Sequence, residues 1–471
     1  MDGQDRPGKP GMSRSYAIVG VGHRAYTFLH ALLGAYAADG RLVGLCDANP
    51  GRLAHAAAVA ADSGVRVPTY MAGDFDRMVQ ETSPDRVIVT VPDHAHCAYI
   101  VRALELGADV ITEKPLTIDA VSCRRIVTAQ QATGRSVTVA FNYRYSPARS
   151  LLKQVLVSGI VGHVTAVNFE WQLDTYHGAD YFRRWHRNRA NSGGLFVHKA
   201  THHFDLLNWW LGSVPQRVAA RGRRVFYRPE TAEAFDLGDR GERCSACAAF
   251  ERCRVKLNVT ADGHLRALYA DNEIHDGYFR DRCVFSSAID IEDSMHATLE
   301  YQNGVIVNYL LTAYSPAEGY RVVFHGTRGK VALETVERAY VRPDGVLVHP
   351  LLPEHSSIVV HPQFSRAYEL ALPKAQGLHS GGDKVMLEHL FRGGSNDGYG
   401  PVADERAGAW SALVGIAANA SLASGTPVSL ADLAAGIPQP DLPHEPFGPA
   451  VAWQTFDPAR YPFLSGARII S

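Results

Sequence analysis

Between Ser15 and Phe141 short continuous apolar runs alternate with stretches whose apolar residues recur at helical spacing. The runs SYAIVG, RLVGLC, VRVPTY, RVIVTV, ADVIT and SVTVAF have strand length. The stretches between them, such as residues 74–82 and 96–106, predict helices. Strands with no polar alternation, set between helices, belong to a parallel sheet covered on both faces. After Asn142 the pattern changes. A helix is predicted over 147–158, then a long alternating strand, HVTAVNFEWQL, and a helix over 199–211. MHATLEYQ and GVIVNYLLTAY alternate on either side of Gln302-Asn303-Gly304, a hairpin signal. YRVVFHG and KVALET add strands, and helices are expected over 382–391 and 402–423. Alternation in successive strands predicts an antiparallel sheet with one face on the core.

The pattern therefore divides the 471 residues into a leader (1–14), a nucleotide-binding α/β domain (15–142), an α+β domain with a mostly antiparallel open sheet (143–435) and a Pro-rich tail (436–471). A polar, charged stretch over 227–293 interrupts the second domain and reads as an insertion between two strands. The leader is Gly/Pro-rich and is expected to be disordered, with Met12 as an alternative start. It has no apolar core of a secretory signal. No apolar run approaches the roughly 18 residues of a membrane span, and a formal net charge of −1 steers the chain toward neither nucleic acid nor anionic membrane. A cytoplasmic protein is the default expectation.

The first strand runs into Gly20-Val21-Gly22-His23-Arg24-Ala25, a G-x-G-x-x-A fingerprint at a strand–helix junction. The first glycine permits the tight turn, the second lets backbone approach a pyrophosphate, and the third position needs a small residue. The second strand ends in Asp47, placed to bind a ribose 2′-hydroxyl and repel a 2′-phosphate. A Rossmann dinucleotide site for NAD in preference to NADP follows, with Arg52 as the residue that bears on that choice. The fourth strand ends Val91-Pro92-Asp93-His94-Ala95-His96, beside the same crevice. Val91, Pro92, His94, His96, Glu113 and Asn142 join the candidate cofactor residues.

Lys114 follows the fifth strand in Glu113-Lys114-Pro115. A lysine at a carboxyl strand end points at whatever the cofactor meets, and burial would lower its pKa toward the range of a proton acceptor. A second cluster, Ser192-Gly193-Gly194-Leu195-Phe196-Val197-His198-Lys199-Ala200-Thr201-His202-His203-Phe204-Asp205, carries His198, His202 and Asp205 at helical spacing.

GVGHRA, Asp47, PDHAH, EKP and GGLFVHKATHHFD, in this order, resemble the glucose-fructose oxidoreductase/inositol dehydrogenase (Gfo/Idh/MocA) family from about Ser15 to Leu430. The resemblance implies hydride transfer at a ring carbon of a sugar or cyclitol, with Lys114 as the catalytic lysine and His202 as the general acid/base. It also implies a homo-oligomer, dimer or tetramer, joined through the second sheet. Members commonly carry an aspartate four residues before that histidine and a glycine two before it. Here stand His198 and Ala200, so His198 or Lys199 is expected to take part of the aspartate's role. Arg144 follows the sixth strand at the mouth between the domains. The aromatic–basic loop with Tyr176, His177, Tyr181, Trp185 and His186 supplies further candidate substrate contacts, because aromatic faces suit a sugar ring. His379 and Asp383 are candidates to cap the pocket.

Four of the seven cysteines lie in the insertion. Cys244, Cys247, Cys253 and Cys283 predict a four-thiolate structural zinc site, with an iron–sulfur cluster as the alternative. Cys46, Cys97 and Cys123 read as core thiols. The reading is an NAD-dependent oxidoreductase acting on a small-molecule ring hydroxyl. The alternatives are a redox-neutral epimerase or glycoside-cleaving enzyme with transient ring oxidation, and a non-catalytic NAD-binding regulator.

Overall fold

A computed structural model of the chain describes residues 13–338, 340–341, 347–348, 355–372, 381–393, 402–442 and 456–470. Most of the leader, His379 and residues 443–455 of the tail lie outside the described residues.

The N-terminal part alternates strand and helix: β1 (Arg14–Val19), α1 (Ala25–Leu33), β2 (Gly40–Asp47), α2 (Pro50–Asp62), β3 (Thr69–Met71), α3 (Phe75–Thr82), β4 (Arg86–Val89), α4 (His96–Glu105), β5 (Asp109–Thr112), α5 (Ala120–Thr133) and β6 (Val137–Val139). The six strands pair in parallel in the order 3-2-1-4-5-6. Their apolar runs are buried on both faces, which is why they show no alternation. Local chemistry starts the helices. The Asn49 side chain accepts from the amides of Gly51 and Arg52, and Pro50 supplies a preset φ at the first turn. Asp119 caps α5 through the amide of Ser122. The strand order changes direction between β1 and β4, so the crevice for a ligand opens at their carboxyl ends.

The chain then forms α6 (Pro147–Val157), β7 (Val164–Asp174) and α7 (Thr175–Arg183). Two short helices, α8 (Arg189–Ser192) and α9 (Leu195–His198), precede the buried α10 (Thr201–Leu211) and β8 (Pro215–Arg223). Residues 224–293 leave the sheet before β9 (Ser294–Tyr301) pairs antiparallel with β8. Within this excursion lie α11 (Pro229–Ala234) and α12 (Gly263–Leu268). The hairpin β9–β10 (Ile306–Ser315) turns at Gln302–Gly304, as the Asn-Gly signal predicts. β11 (Glu318–Gly326) and β12 (Gly329–Arg338) form a second hairpin. A short pair, β13 (Tyr340–Val341) and β14 (Leu347–Val348), stands apart, while β15 (His355–Pro362) and β16 (Ala367–Glu369) extend the large sheet.

That ten-stranded sheet is antiparallel except where β7 meets β10 in parallel. The α+β expectation holds for it. One ladder explains its inner face: Trp171 lies between Leu311 and Tyr320, and Phe169 between Tyr309 and Val322, all buried. Their strand neighbours Asn168 and Glu170 are exposed. The inner face packs on α10, where His203 stacks on Trp171 at 4.0 Å.

Two long-range segments tie the halves together. α13 (Gly382–Arg392) starts flush on the turn after β6, where a Cβ on Gly382 would meet the Asn142 carbonyl oxygen at 2.3 Å. The strand β17 (Ala403–Asp404) adds an antiparallel edge to β6 and leads into α14 (Glu405–Ser424). β18 (Val428–Ser429) then pairs with β8. Part of the tail returns to the large sheet as β19 (Arg468–Ile470), paired with β16.

α14 lies directly against α9, because a Cβ on Gly415 would stand 2.3 Å from the Phe196 carbonyl oxygen. A valine there must push α14 off the segment that carries His198. We expect Gly415→Val to destabilise the fold by about 2–3 kcal/mol. Thermal unfolding checks it, and an unchanged midpoint would show that α14 can shift at no cost.

Candidate functional site

The turn after β1 has the shape the fingerprint requires. Gly20 sits at φ 85°, and a Cβ on it would meet the Val91 amide nitrogen at 2.7 Å. Only glycine permits this approach of the two strand ends. Ala25 is buried beneath the turn. Asp47 is buried at the end of β2, where its carboxylate accepts from the amides of Val21 (2.7 Å) and Asn49 (2.8 Å). Arg52 bridges Asp47 (3.1 Å) and Asp276 (2.7 Å).

On the other side of the crevice, Arg24 Nε donates to Glu113 at 2.5 Å, and its Nη2 lies 3.4 Å from Asp383. Asn142 Nδ2 donates to the same Asp383 oxygen at 2.7 Å. Asn142 is 2% exposed and its Oδ1 has no hydrogen-bond partner among the described residues. A tight glycine cradle, a carboxylate at the end of β2 and an orphaned buried amide oxygen fit a dinucleotide lying across β1, β2 and β5. The two histidines of the turn after β4 diverge. His94 is exposed, whereas the buried His96 is held between the carbonyl oxygens of Pro115 (2.8 Å) and Val91 (2.9 Å). His96 thus ties the Val91-Pro92 turn to the lysine loop.

Lys114 Nζ lies 3.3 Å from both Nε2 and the carbonyl oxygen of His198. His198 Nδ1 is 2.5 Å from Asp93 Oδ2. Burial drives the His198 imidazole well below its ordinary pKa, with the positive charges of Lys114 and His186 acting in the same direction. A neutral His198 with its proton on Nδ1 donates to Asp93 and accepts from Lys114. Desolvation also lowers Lys114, although the carboxylates of Asp93 and Glu113 oppose it. Burial pushes Asp93 up. Asp93, His198 and Lys114 therefore form one hydrogen-bonded unit.

Asp93 was not among the candidates from sequence. The signal for it is the replacement at 198: a histidine in place of a carboxylate needs an acceptor of its own, and PDHAH carries one. The aromatic loop closes round the same histidine. His186 meets His198 edge-to-face at 4.2 Å, Tyr181 at 5.4 Å and Trp185 at 5.8 Å. His186 is 2% exposed, and its Nδ1 has no partner among the described residues. Tyr176 stands exposed at the start of α7.

Behind this layer, the His202 ring stacks on Tyr143 at 4.1 Å with an interplanar angle of 12°. Lys199, expected to share the aspartate's role, is 3% exposed and donates to the Tyr143 hydroxyl at 3.0 Å. Its ammonium faces the rings of Tyr143 and Trp171, and burial lowers its pKa to about 8. Arg144 is a correction to the sequence reading. It is buried in a two-point ion pair with Asp205 (2.7 and 2.6 Å), so its guanidinium fork is spent inside the protein.

The zinc expectation is also corrected. Among the described residues no group of three or more His, Cys, Asp or Glu side chains is placed to hold a metal ion. Cys244, Cys247, Cys253 and Cys283 instead line one apolar pocket with Ala249 and Phe285. Burial pushes the thiols of Cys253 and Cys283 up. All four are half-buried, and Cys247, Cys253 and Cys283 pack against the large apolar core. Cys46, Cys97 and Cys123 are buried thiols, as expected. No helix among the described residues is long and apolar enough to cross a membrane.

Two family models match the chain: oxidoreductase family, NAD-binding Rossmann fold, over residues 14–141, and oxidoreductase family, C-terminal alpha/beta domain, over residues 153–430. The oxidoreductase-named protein YteT of Bacillus subtilis is 35% identical over 430 residues, covering 89% of this chain and 98% of its own. Inositol 2-dehydrogenase of Rhizobium meliloti is 28% identical over 258 residues, 55% of this chain and 71% of its own. In fold, the chain is similar to the WlbA dehydrogenase of Bordetella pertussis, solved in complex with NADH and UDP-GlcNAcA. That likeness has a TM-score of 0.58 at 17% identity, over 89% of this chain and 99% of the other.

Proposed function

Since the chain belongs to the Gfo/Idh/MocA oxidoreductase family and is an NAD(P)-dependent dehydrogenase by that membership, we propose that its substrate is a sugar, glycoside or cyclitol oxidised at a ring hydroxyl carbon, with NAD preferred. The bound nicotinamide supplies the hydride acceptor. The observation that carries the proton chemistry is the pair of acceptors round Lys114. A neutral amine has two hydrogens and one lone pair. His198 Nε2 and the His198 carbonyl oxygen take the two hydrogens. The lone pair is left for the substrate hydroxyl proton, the requirement for a general base.

Asp93 acts through His198 as a positioning residue: it holds the tautomer whose Nε2 faces Lys114. His202 is the second proton-handling residue of this reading, its ring plane set by the Tyr143 stack. Trp185 borders His198 and stacks on the buried His186 at 3.7 Å, and its half-buried ring is the aromatic surface suited to an apolar sugar face. The inositol 2-dehydrogenase relatives support a cyclitol or sugar. A homo-oligomer through the uncovered face of the ten-stranded sheet, and a cytoplasmic location, belong to the same reading.

The test is turnover of NAD with a panel of sugars and cyclitols, followed by nicotinamide absorbance across pH. Oxidation is expected to rise with pH as Lys114 loses its proton, with a midpoint below the ordinary lysine value. Asp93→Asn removes a charge that raises the Lys114 pKa, so the rising limb moves to lower pH. Turnover falls by about 10–100-fold as His198 loses its anchor. An unmoved limb counts against the Asp93–His198–Lys114 unit, and no NADH from any polyol counts against the substrate class.

The redox-neutral alternative draws on a different observation, the insertion lying over the cofactor turn. It predicts catalysis by retained dinucleotide with no net NADH.

A further inference from the structure

The insertion reaches across the molecule to the nucleotide-binding turn. The Tyr269 hydroxyl accepts from the amide of His23 at 3.0 Å, and a Cβ on Gly22 would meet that hydroxyl at 3.5 Å. Asn49 Nδ2 donates to the Asn272 carbonyl oxygen at 2.9 Å, and Gly51 is overlain by the Asn272 side chain. His264 packs against His23 and Tyr26 at 5.3 and 4.6 Å. Arg280 anchors the end of the segment to Asp180 of α7 through two bonds, 3.0 and 2.6 Å. The Tyr269, Asn272 and His264 contacts fall on the G-x-G turn, the first turn of α1 and the residues just after β2, beside the two places where a dinucleotide leaves its pyrophosphate and ribose.

The charges at the ribose end make a second point. Arg52 is the cation nearest Asp47 in sequence and would favour a 2′-phosphate if left to itself. It is held instead between Asp47 and Asp276, one carboxylate from each side. One guanidinium between two carboxylates leaves a net negative site, which disfavours a further phosphate.

We propose that segment 263–280 of the insertion is a wall of the dinucleotide site, closing over its pyrophosphate and ribose. Through Asp276 it sets the preference for a cofactor without a 2′-phosphate. The inference rests on the dinucleotide reading of the turn and is independent of the substrate.

Two measurements on the full-length protein test it, neither of them activity. The first is amide hydrogen exchange with and without NADH. Protection is expected both in the turn at 20–25 and in 263–280. Protection of the turn alone overturns the proposal; protection of neither overturns the dinucleotide reading beneath it. The second is direct binding of NADH and NADPH followed by nucleotide fluorescence. Asp276→Asn frees Arg52 from one carboxylate and should lower the ratio of the NADPH to the NADH dissociation constant by about fivefold. Asp276→Glu should keep the ratio of the unaltered protein. An unchanged ratio in Asp276→Asn overturns the role of Asp276, whether or not the fold is slightly weakened, because both ligands are read on the same variant.

Discussion

Lys114→Ala is expected to lower kcat/KM on the order of 10³-fold, the typical worth of a general acid–base group, while leaving the dissociation constant of NADH within about threefold. The cofactor cradle is built by Gly20, Asp47 and the Glu113–Arg24–Asp383 network, none of which depends on the Lys114 side chain. The loss therefore falls on the proton transfer. Lys114→Arg should not restore the rate, because a guanidinium stays charged and has no lone pair to offer. Steady-state kinetics with the best polyol and a parallel NADH titration decide the matter. Unimpaired turnover in Lys114→Ala would remove the lysine from the chemistry and return attention to His202.

The second large effect concerns stability. Asp205→Ala removes the two-point carboxylate partner of the Arg144 guanidinium, which stays charged where it is 2% exposed. Breaking a buried ion pair from one side costs about 3–5 kcal/mol. The cost should be visible as a lower unfolding midpoint and poor soluble yield. Burial raises the Asp205 pKa even though the Arg144 charge pulls the other way. The sign follows: between its unfolded and its raised folded pKa the native state binds more protons, so this group favours folding at low pH and loses that contribution as pH rises through the folded value. Replacing both partners by leucine should recover much of the loss, because an apolar pair needs no compensation. Were the double variant as unstable as the single, the geometry of the pair rather than its desolvation would be what the fold requires.

Asp205 illustrates what helical spacing can say and where it stops. Spacing placed His198, His202 and Asp205 near one another, and all three lie in the segment that backs the reaction centre. It could not say that Asp205 turns inward to Arg144, while His198 turns to the cleft. Asp93 shows the same limit from the other side. It lies 105 residues from His198, and the two meet only because α9 is pressed by α14 toward the carboxyl ends of β4 and β5. The cysteines are the third case. Their spacing is that of a metal knuckle, and the fold brings the four half-buried side chains to one apolar pocket.

By itself the sequence determined what short-range physics controls. Apolar runs without alternation gave a parallel sheet buried on both faces. Alternation gave the half-covered antiparallel sheet, Asn-Gly its hairpin, and G-x-G with Asp47 the cofactor turn. These depend on residues within one element or one turn, or, for Asp47, on the adjoining strand that pairs with β1. Tertiary structure decided the partners: Asp93 for His198, Asp205 for Arg144, Tyr143 for Lys199 and for the ring of His202, Tyr269 for the His23 amide of the cofactor turn and Asp276 for Arg52. A buried polar group must find its complement, and which complement is within reach is a property of how the elements pack, not of the spacing within any of them.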